Sequence, residues 1–300
     1  MVKIHSIKHI TIIITLCVLS LGSCKQKITK EKVAKEDTAY IGLRQALTFY
    51  ASFDTGVNAD FALGDSLMYT VPNRSARDSA MAGLHKLDVS RQEGKGKYGY
   101  GLQFTERSKG SIYYPSARNI AYSRENWNGA ISFWLSLDPS TDLEPGYCDP
   151  IQITDVSYND AAIWVDFTKD NPRDFRLGVI GDRNIWNPEG LEDENEIFLP
   201  QLVPVSNPPF ATNKWTHVLI NFSGLNTENG EASLYMNGEL KGTRTHITDS
   251  FTWELDESNI YIGLSYIGLM DDLSIYNRNL TTDEIKELYS MENGVSTILE

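Results

Sequence analysis

Apolar and polar residues alternate with a period of two along much of the chain between residues 45 and 290. In "ALTFYASF", Leu47, Phe49, Ala51 and Phe53 share one side; in "AISFWLSL", Ile131, Phe133, Leu135 and Leu137 do so. "AIWVDFT" repeats the pattern with Ile163, Val165 and Phe167, and "THVLINF" with Val218, Ile220 and Phe222. Successive side chains of a strand point to opposite faces, so each segment offers one face to a core. Turn signals such as "GKGKYGYG" and "NTENGEA" separate the runs, and "MNGELKG" sets Asn-Gly between strand residues, a hairpin cue. Helical periodicity is scarce. Thr281 and Glu284 fit a capping box ahead of Ile285, Leu288 and Tyr289, and residues 77–88 are a weaker helical candidate. Many short strands and few helices predict an all-β fold, an antiparallel two-sheet jelly-roll β-sandwich with a short C-terminal helix. The pattern assigns it residues 45–292, followed by a tail, 293–300.

Upstream the pattern breaks. Residues 1–23 hold Lys3 and Lys8 ahead of the apolar run "ITIIITLCVLSLG", too short to span a bilayer as a helix, and read as an export signal. The junction Leu21-Gly22-Ser23-Cys24 resembles the lipobox of bacterial lipoproteins, in which the cysteine is acylated; the alternative is an ordinary secretory signal. Residues 24–44, charged and poor in aromatics, read as a flexible tether. The expected address is the cell envelope, on a bacterial outer membrane or cell surface, with the lipid as the membrane contact. The formal net charge is −13, and loss of the signal removes two lysines and no acid, so nucleic acid is an unsuitable partner. Of three cysteines only Cys148 lies outside the signal and its junction, which leaves no disulfide framework.

The segments "FYASFD", "GKYGYGLQF", "SIYYP", "GAISFWLSL", "NKWTHVLINFSG", "EASLYMNGELKGT" and "IGLMDDLSIYNRNLTTDEIKELY" occur in an order that resembles LamG-like jelly-roll domains of the concanavalin A-like lectin/glucanase superfamily. The resemblance spans about residues 46–290 and departs from the usual pattern in an insertion, 169–213, rich in Pro and charge. It implies that Asp271, on the last strand, lies near Asp54 at the end of the first, where many relatives hold a structural calcium. Paired carboxylates suit that hard cation; alternatively both accept backbone N–H bonds and cap strand ends. Asp272, of opposite parity, is expected to face solvent.

Opposite the core positions stand Trp134, Trp164 with Asp166, and His217 with Asn221, and the insertion adds Arg173, Arg176, Asp182, Arg183 and Trp186. Indole faces stack on sugar rings, carboxylates accept hydroxyl hydrogen bonds, and guanidinium binds acidic groups bidentately. Trp134, Trp164, Asp166, Arg176, Trp186 and His217 are therefore the candidate ligand face for a polysaccharide, an anionic one included. The alternatives are a second packing layer beneath the insertion and salt bridges that pin it. "GLEDENEIF" spaces Glu192, Glu194 and Glu196 by two, but in a Pro-bounded loop without the carboxylate pattern of glycan-cleaving relatives. Surface-anchored, non-catalytic carbohydrate binding is the expected function, with a hydrolase or lyase of the same fold, or a protein-binding adhesin, as alternatives.

Overall fold

In the computed structural model, residues 38–299 are described, apart from 75, 193 and 194. The chain divides into two units, 1–42 and 43–300. The signal, Cys24 and most of the tether lie outside the described residues; residues 38–44, expected as tether, are helical.

The strands of the second unit begin with β1 (Leu47–Ala51), β2 (Phe61–Ala62), β3 (Tyr69–Val71), β4 (Met81–Ala82), β5 (Val89–Gln92) and β6 (Gly101–Phe104). They continue with β7 (Ser111–Pro115), β8 (Trp127–Ser136), β9 (Cys148–Thr154), β10 (Ala162–Phe167), β11 (Phe175–Ile180) and β12 (Leu202–Val205). The last five are β13 (Thr216–Leu225), β14 (Gly230–Met236), β15 (Glu239–Ile247), β16 (Asn259–Leu264) and β17 (Gly268–Tyr276). A first sheet runs β15-β14-β13-β8-β17-β1-β2, with β6 and then β5 added beside β17; the second runs β12-β11-β10-β9-β16-β7-β3-β4. All the strand pairings are antiparallel.

The core lies between the sheets. Phe49, Ala51, Phe53, Ile131, Phe133, Leu135, Val218, Ile220 and Phe222 meet Ile163, Val165 and Phe167 there, as the alternation predicts. Asn237 and Gly238, both at positive φ, make the two-residue turn between β14 and β15. Thr281 and Glu284 form the expected capping box, and the C-terminal helix Thr282–Ser290 buries Ile285 and Leu288.

Three expectations change. Residues 77–88 hold a single 3-10 turn, Arg77–Ser79, and strand β4, not a helix. The insertion supplies β11 and β12, and Phe175, Leu177 and Val179 belong to the core: a period-two run is hidden there by its charged neighbours. The tail expected after residue 292 is part of the domain, with Val295 and Ile298 buried in a 3-10 helix.

Candidate functional site

One cross-strand row marks the outer face of the second sheet. Tyr69 pairs with Tyr113, Tyr113 with Tyr261, Tyr261 with Gln152, Gln152 with Trp164, Trp164 with Gly178, and Gly178 with Leu202. Each lies opposite the next across six strand boundaries, so all project from one side. Gly178 makes room for the indole: a Cβ there would sit 2.3 Å from Trp164 Cε2.

Two segments cover the ends of this row. At one end Arg74 lies over the Tyr261 ring, 4.5 Å from its centroid, and donates to Gln152 Oε1 at 2.5 Å. At the other, the insertion brings Phe198 nearly parallel to Trp164, with ring centroids 6.4 Å apart, and Trp186 against Phe198. Trp164 Nε1 donates to Tyr158 O at 2.7 Å and Trp186 Nε1 to Asn159 O at 3.1 Å, satisfying both buried indoles. Between the covers lies a cavity of ≈ 140 Å³ lined by Tyr147, Asp149, Tyr158, Trp164, Asp166, Arg176 and Phe198. Tyr147, Asp149 and Tyr158 also line a more open cleft of ≈ 670 Å³, which runs on to Gln152, Arg74, Arg107 and Lys109.

The cavity floor is polar. Arg176 donates from Nε to Asp166 Oδ1 at 2.9 Å and through a second nitrogen to Asp166 Oδ2 at 2.5 Å, a buried bidentate pair. Burial, and then the charge of Asp166, pushes Asp149 well above the usual carboxylate range. Gln152 Nε2 donates to Asp149 Oδ2 at 2.9 Å, joining the carboxyl to the row.

Of the expected ligand face, Trp164, Asp166 and Arg176 therefore share one cavity, with Trp186 packed behind Phe198. Arg176 stands on β11 and not on a loop. Trp164 is only 1% exposed, so its indole is a wall wedged between Gly178 and the insertion. Trp134 and His217 do not join them. They sit on the outer face of the first sheet, where Tyr289 of the C-terminal helix stacks over Trp134 at 5.8 Å. There His217 Nε2 meets Ser132 Oγ at 2.8 Å, while burial drives the imidazole pKa down to about 3. Period-two parity names the outward side of a strand but not which sheet the strand joins. Arg173 is buried and donates to the carbonyls of Gly146, Thr168 and Glu144, so it braces loops. Asp182 caps a turn by accepting from Asn184 N; Glu192 and Glu196 are exposed.

The acidic pair sits where β17 changes partners. β17 pairs with β6 through Met270 and with β1 from Leu273, and a bulge between Asp271 and Ser274 sets Asp272 at φ 54°. The bulge turns Asp272 inward instead of to solvent: Tyr50 donates its hydroxyl to Asp272 Oδ1 at 2.7 Å. Asp271 Oδ2 accepts from Tyr98 N at 2.9 Å and Asp54 Oδ1 from Tyr100 N at 2.7 Å, so both carboxylates hold the same loop. That loop approaches so closely that a Cβ on Gly99, at φ +64°, would lie 2.2 Å from Asp54 Oδ1. Burial raises Asp271 to about 9 and Asp272 to about 7, and for Asp271 the charge of Asp272 adds to it. Among the described residues, no three His, Cys, Asp or Glu side chains group as a metal site.

Residues 128–286 match the model of a laminin G family described as concanavalin A-like lectin/glucanases superfamily, slightly more than half the chain. The chain belongs to that superfamily. No curated protein matches it. Similar solved structures include a Trypanosoma rangeli sialidase in complex with 2,3-difluoro-KDN (16% identity, TM-score 0.52, 84% of this chain and 33% of that one). Another is the binding domain of Paraclostridial mosquitocidal protein 1 (14%, 0.50, 82% and 52%). Domain 4 of an extracellular arabinanase from Geobacillus stearothermophilus, in complex with arabinotriose, is a third (16%, 0.49, 82% and 98%). This chain thus spans about half the mosquitocidal domain and a third of the sialidase.

In this member of the superfamily, Tyr147, Tyr158, Asp149, Gln152 and Phe198 line the cavity and cleft without having been legible as a group. Tyr147 and Tyr158 stand on loops, and Phe198 on the insertion, where no periodicity points. Gln152 alone carries a usable signal: it stands between Ile151 and Ile153, opposite the core side of its strand.

Proposed function

We propose that this protein binds a polysaccharide, without cleaving it, in the cavity and cleft on the outer face of the second sheet, and that a lipid on Cys24 holds it at the cell envelope. The observation that carries the reading is the cavity itself, where Tyr147, Tyr158, Trp164 and Phe198 surround the Asp166–Arg176 pair and Asp149. Aromatic walls with a few fixed polar groups suit a sugar's apolar ring faces and hydroxyl edge. The superfamily's description and the sugar analogue bound by the T. rangeli sialidase support carbohydrate as the ligand class. Calcium held by Asp54 and Asp271 is a second element of the proposal. Their oxygen chemistry suits it, and it would draw the proton from Asp271.

The deciding experiment is a polysaccharide screen with the purified protein, scored for retained polymer and for released reducing ends. Binding should weaken about tenfold, ~1.4 kcal/mol, in Tyr158→Ala, with the melting temperature close to wild type. Full affinity in that variant would remove the cavity from the ligand path. One observation favours a hydrolase as the second reading. Asp149 and Asp166 share the cavity, one pushed towards its protonated form and the other ion-paired, an asymmetry that acid–base catalysis uses. Released reducing ends, lost in Asp149→Asn, would establish it.

A further inference from the structure

We infer that the glycan taken by this face is polyanionic, and that Arg107 and Lys109, with Arg74, receive its carboxylate or sulfate groups at the lip of the cleft. The inference rests on the carbohydrate-binding reading and specifies its ligand class. In a chain of net charge −13, the ≈ 670 Å³ cleft is lined by three cationic side chains and a single carboxyl, Asp149. Six other described cations are paired with acids: Arg77 with Glu257, Lys86 with Asp88, Arg176 with Asp166, Lys241 with Glu239, Arg244 with Asp249 and Arg278 with Glu284. Arg74, Arg107 and Lys109 form no ion pair with a described acid. Uncompensated charge gathered in a concave site focuses the field on a ligand of opposite sign.

The lip is also built. Arg107 donates to Pro145 O at 2.7 Å, and its guanidinium lies where a Cβ on Gly146, at φ +111°, would stand 2.4 Å from its nitrogen. A single carbonyl thus holds a group with five N–H donors, the rest of its donor capacity remaining for a ligand. Arg74 is set by Gln152 and by the Val156 carbonyl at 3.3 Å, above the Tyr261 ring. Burial pushes the one carboxyl in the cleft above the usual carboxylate range, against the opposing pull of Arg74 and Arg176. A chain of acidic sugars laid from the cavity towards the 105–110 turn meets aromatic walls first and guanidinium and ammonium groups after.

The test measures affinity of the purified full chain for sodium polygalacturonate, dextran sulfate, methyl-esterified polygalacturonate, neutral dextran and duplex DNA, at low and high salt. The acidic glycans should bind at least ~10-fold more tightly than their neutral counterparts and than DNA. Arg107→Glu combined with Lys109→Glu should abolish that preference. Lys241→Glu, the same change of sign on an exposed lysine of the other sheet, should leave it unchanged. Equal affinity for charged and neutral glycans, unaffected by the double substitution, overturns the inference and leaves carbohydrate binding standing. Equal losses in the Lys241 control, or DNA bound as tightly as the glycans, reduce the effect to general charge attraction and also overturn it. Retention of no polysaccharide at all overturns both this inference and the reading beneath it.

Discussion

Adjacent aspartates at 271 and 272 have opposite parity but are both buried, because the bulge in β17 cancels the alternation between them. Their role is testable through metal and through temperature. With calcium bound only in the native state at a hundred times its dissociation constant, stability should rise by about 2.7 kcal/mol. Chelator would then lower the melting temperature, and Asp271→Asn would remove the difference; curves unchanged by chelator would leave Asp54 and Asp271 as caps for the loop they share. His217 makes a separate prediction. Its folded pKa, near 3, lies below the ordinary 6.5 because burial opposes the charged ring. Between those values the unfolded chain binds the extra proton, so this contribution is intact above pH 6.5 and is lost as pH falls towards 3. The melting temperature should decline from pH 7 to pH 4, and His217→Gln should decline less.

Among the elements, the insertion governs the candidate site, since it forms two strands and between them folds Trp186 and Phe198 over β10. Trp164→Ala should therefore cost about 3–5 kcal/mol in a urea unfolding experiment, as truncation of a buried aromatic does. Loss below ~1 kcal/mol would mean that the indole does not support the cover. Thr281→Ala should cost about 1 kcal/mol through the capping box, without changing glycan affinity. Strand phase was legible in the sequence: Ile163, Val165 and Phe167 face the core, which puts Trp164 and Asp166 on the far side. The Asn-Gly turn and the capping box were legible because both depend on residues adjacent in sequence. Assignment of strands to sheets was not, and Trp134 and His217 were grouped with Trp164 for that reason. The cavity depends on Tyr147, Tyr158 and Phe198, which loops and the insertion deliver, and long-range packing of that kind leaves no period to read.

At the scale of the whole molecule, the proposed glycan-binding face and the proposed lipid on Cys24 would together hold polymer near a membrane. Cells fed a labelled fatty acid should mark the wild-type protein and leave Cys24→Ala unmarked; equal labelling would refute the anchor. The sheet order carries a further consequence for how the protein is made. β17 lies between β8 and β1, joining Tyr276 to Leu47 on one side and to Ala130 on the other. The first strand built thus waits for the last: until residues near 276 are available, β1 has only the two-residue β2 beside it and β8 presents an open edge. Contacts so distant along the chain slow folding, and open edges recruit other chains. A nascent or C-terminally shortened chain ending before β17 is therefore an aggregation hazard, and β17 joins the two halves of the first sheet.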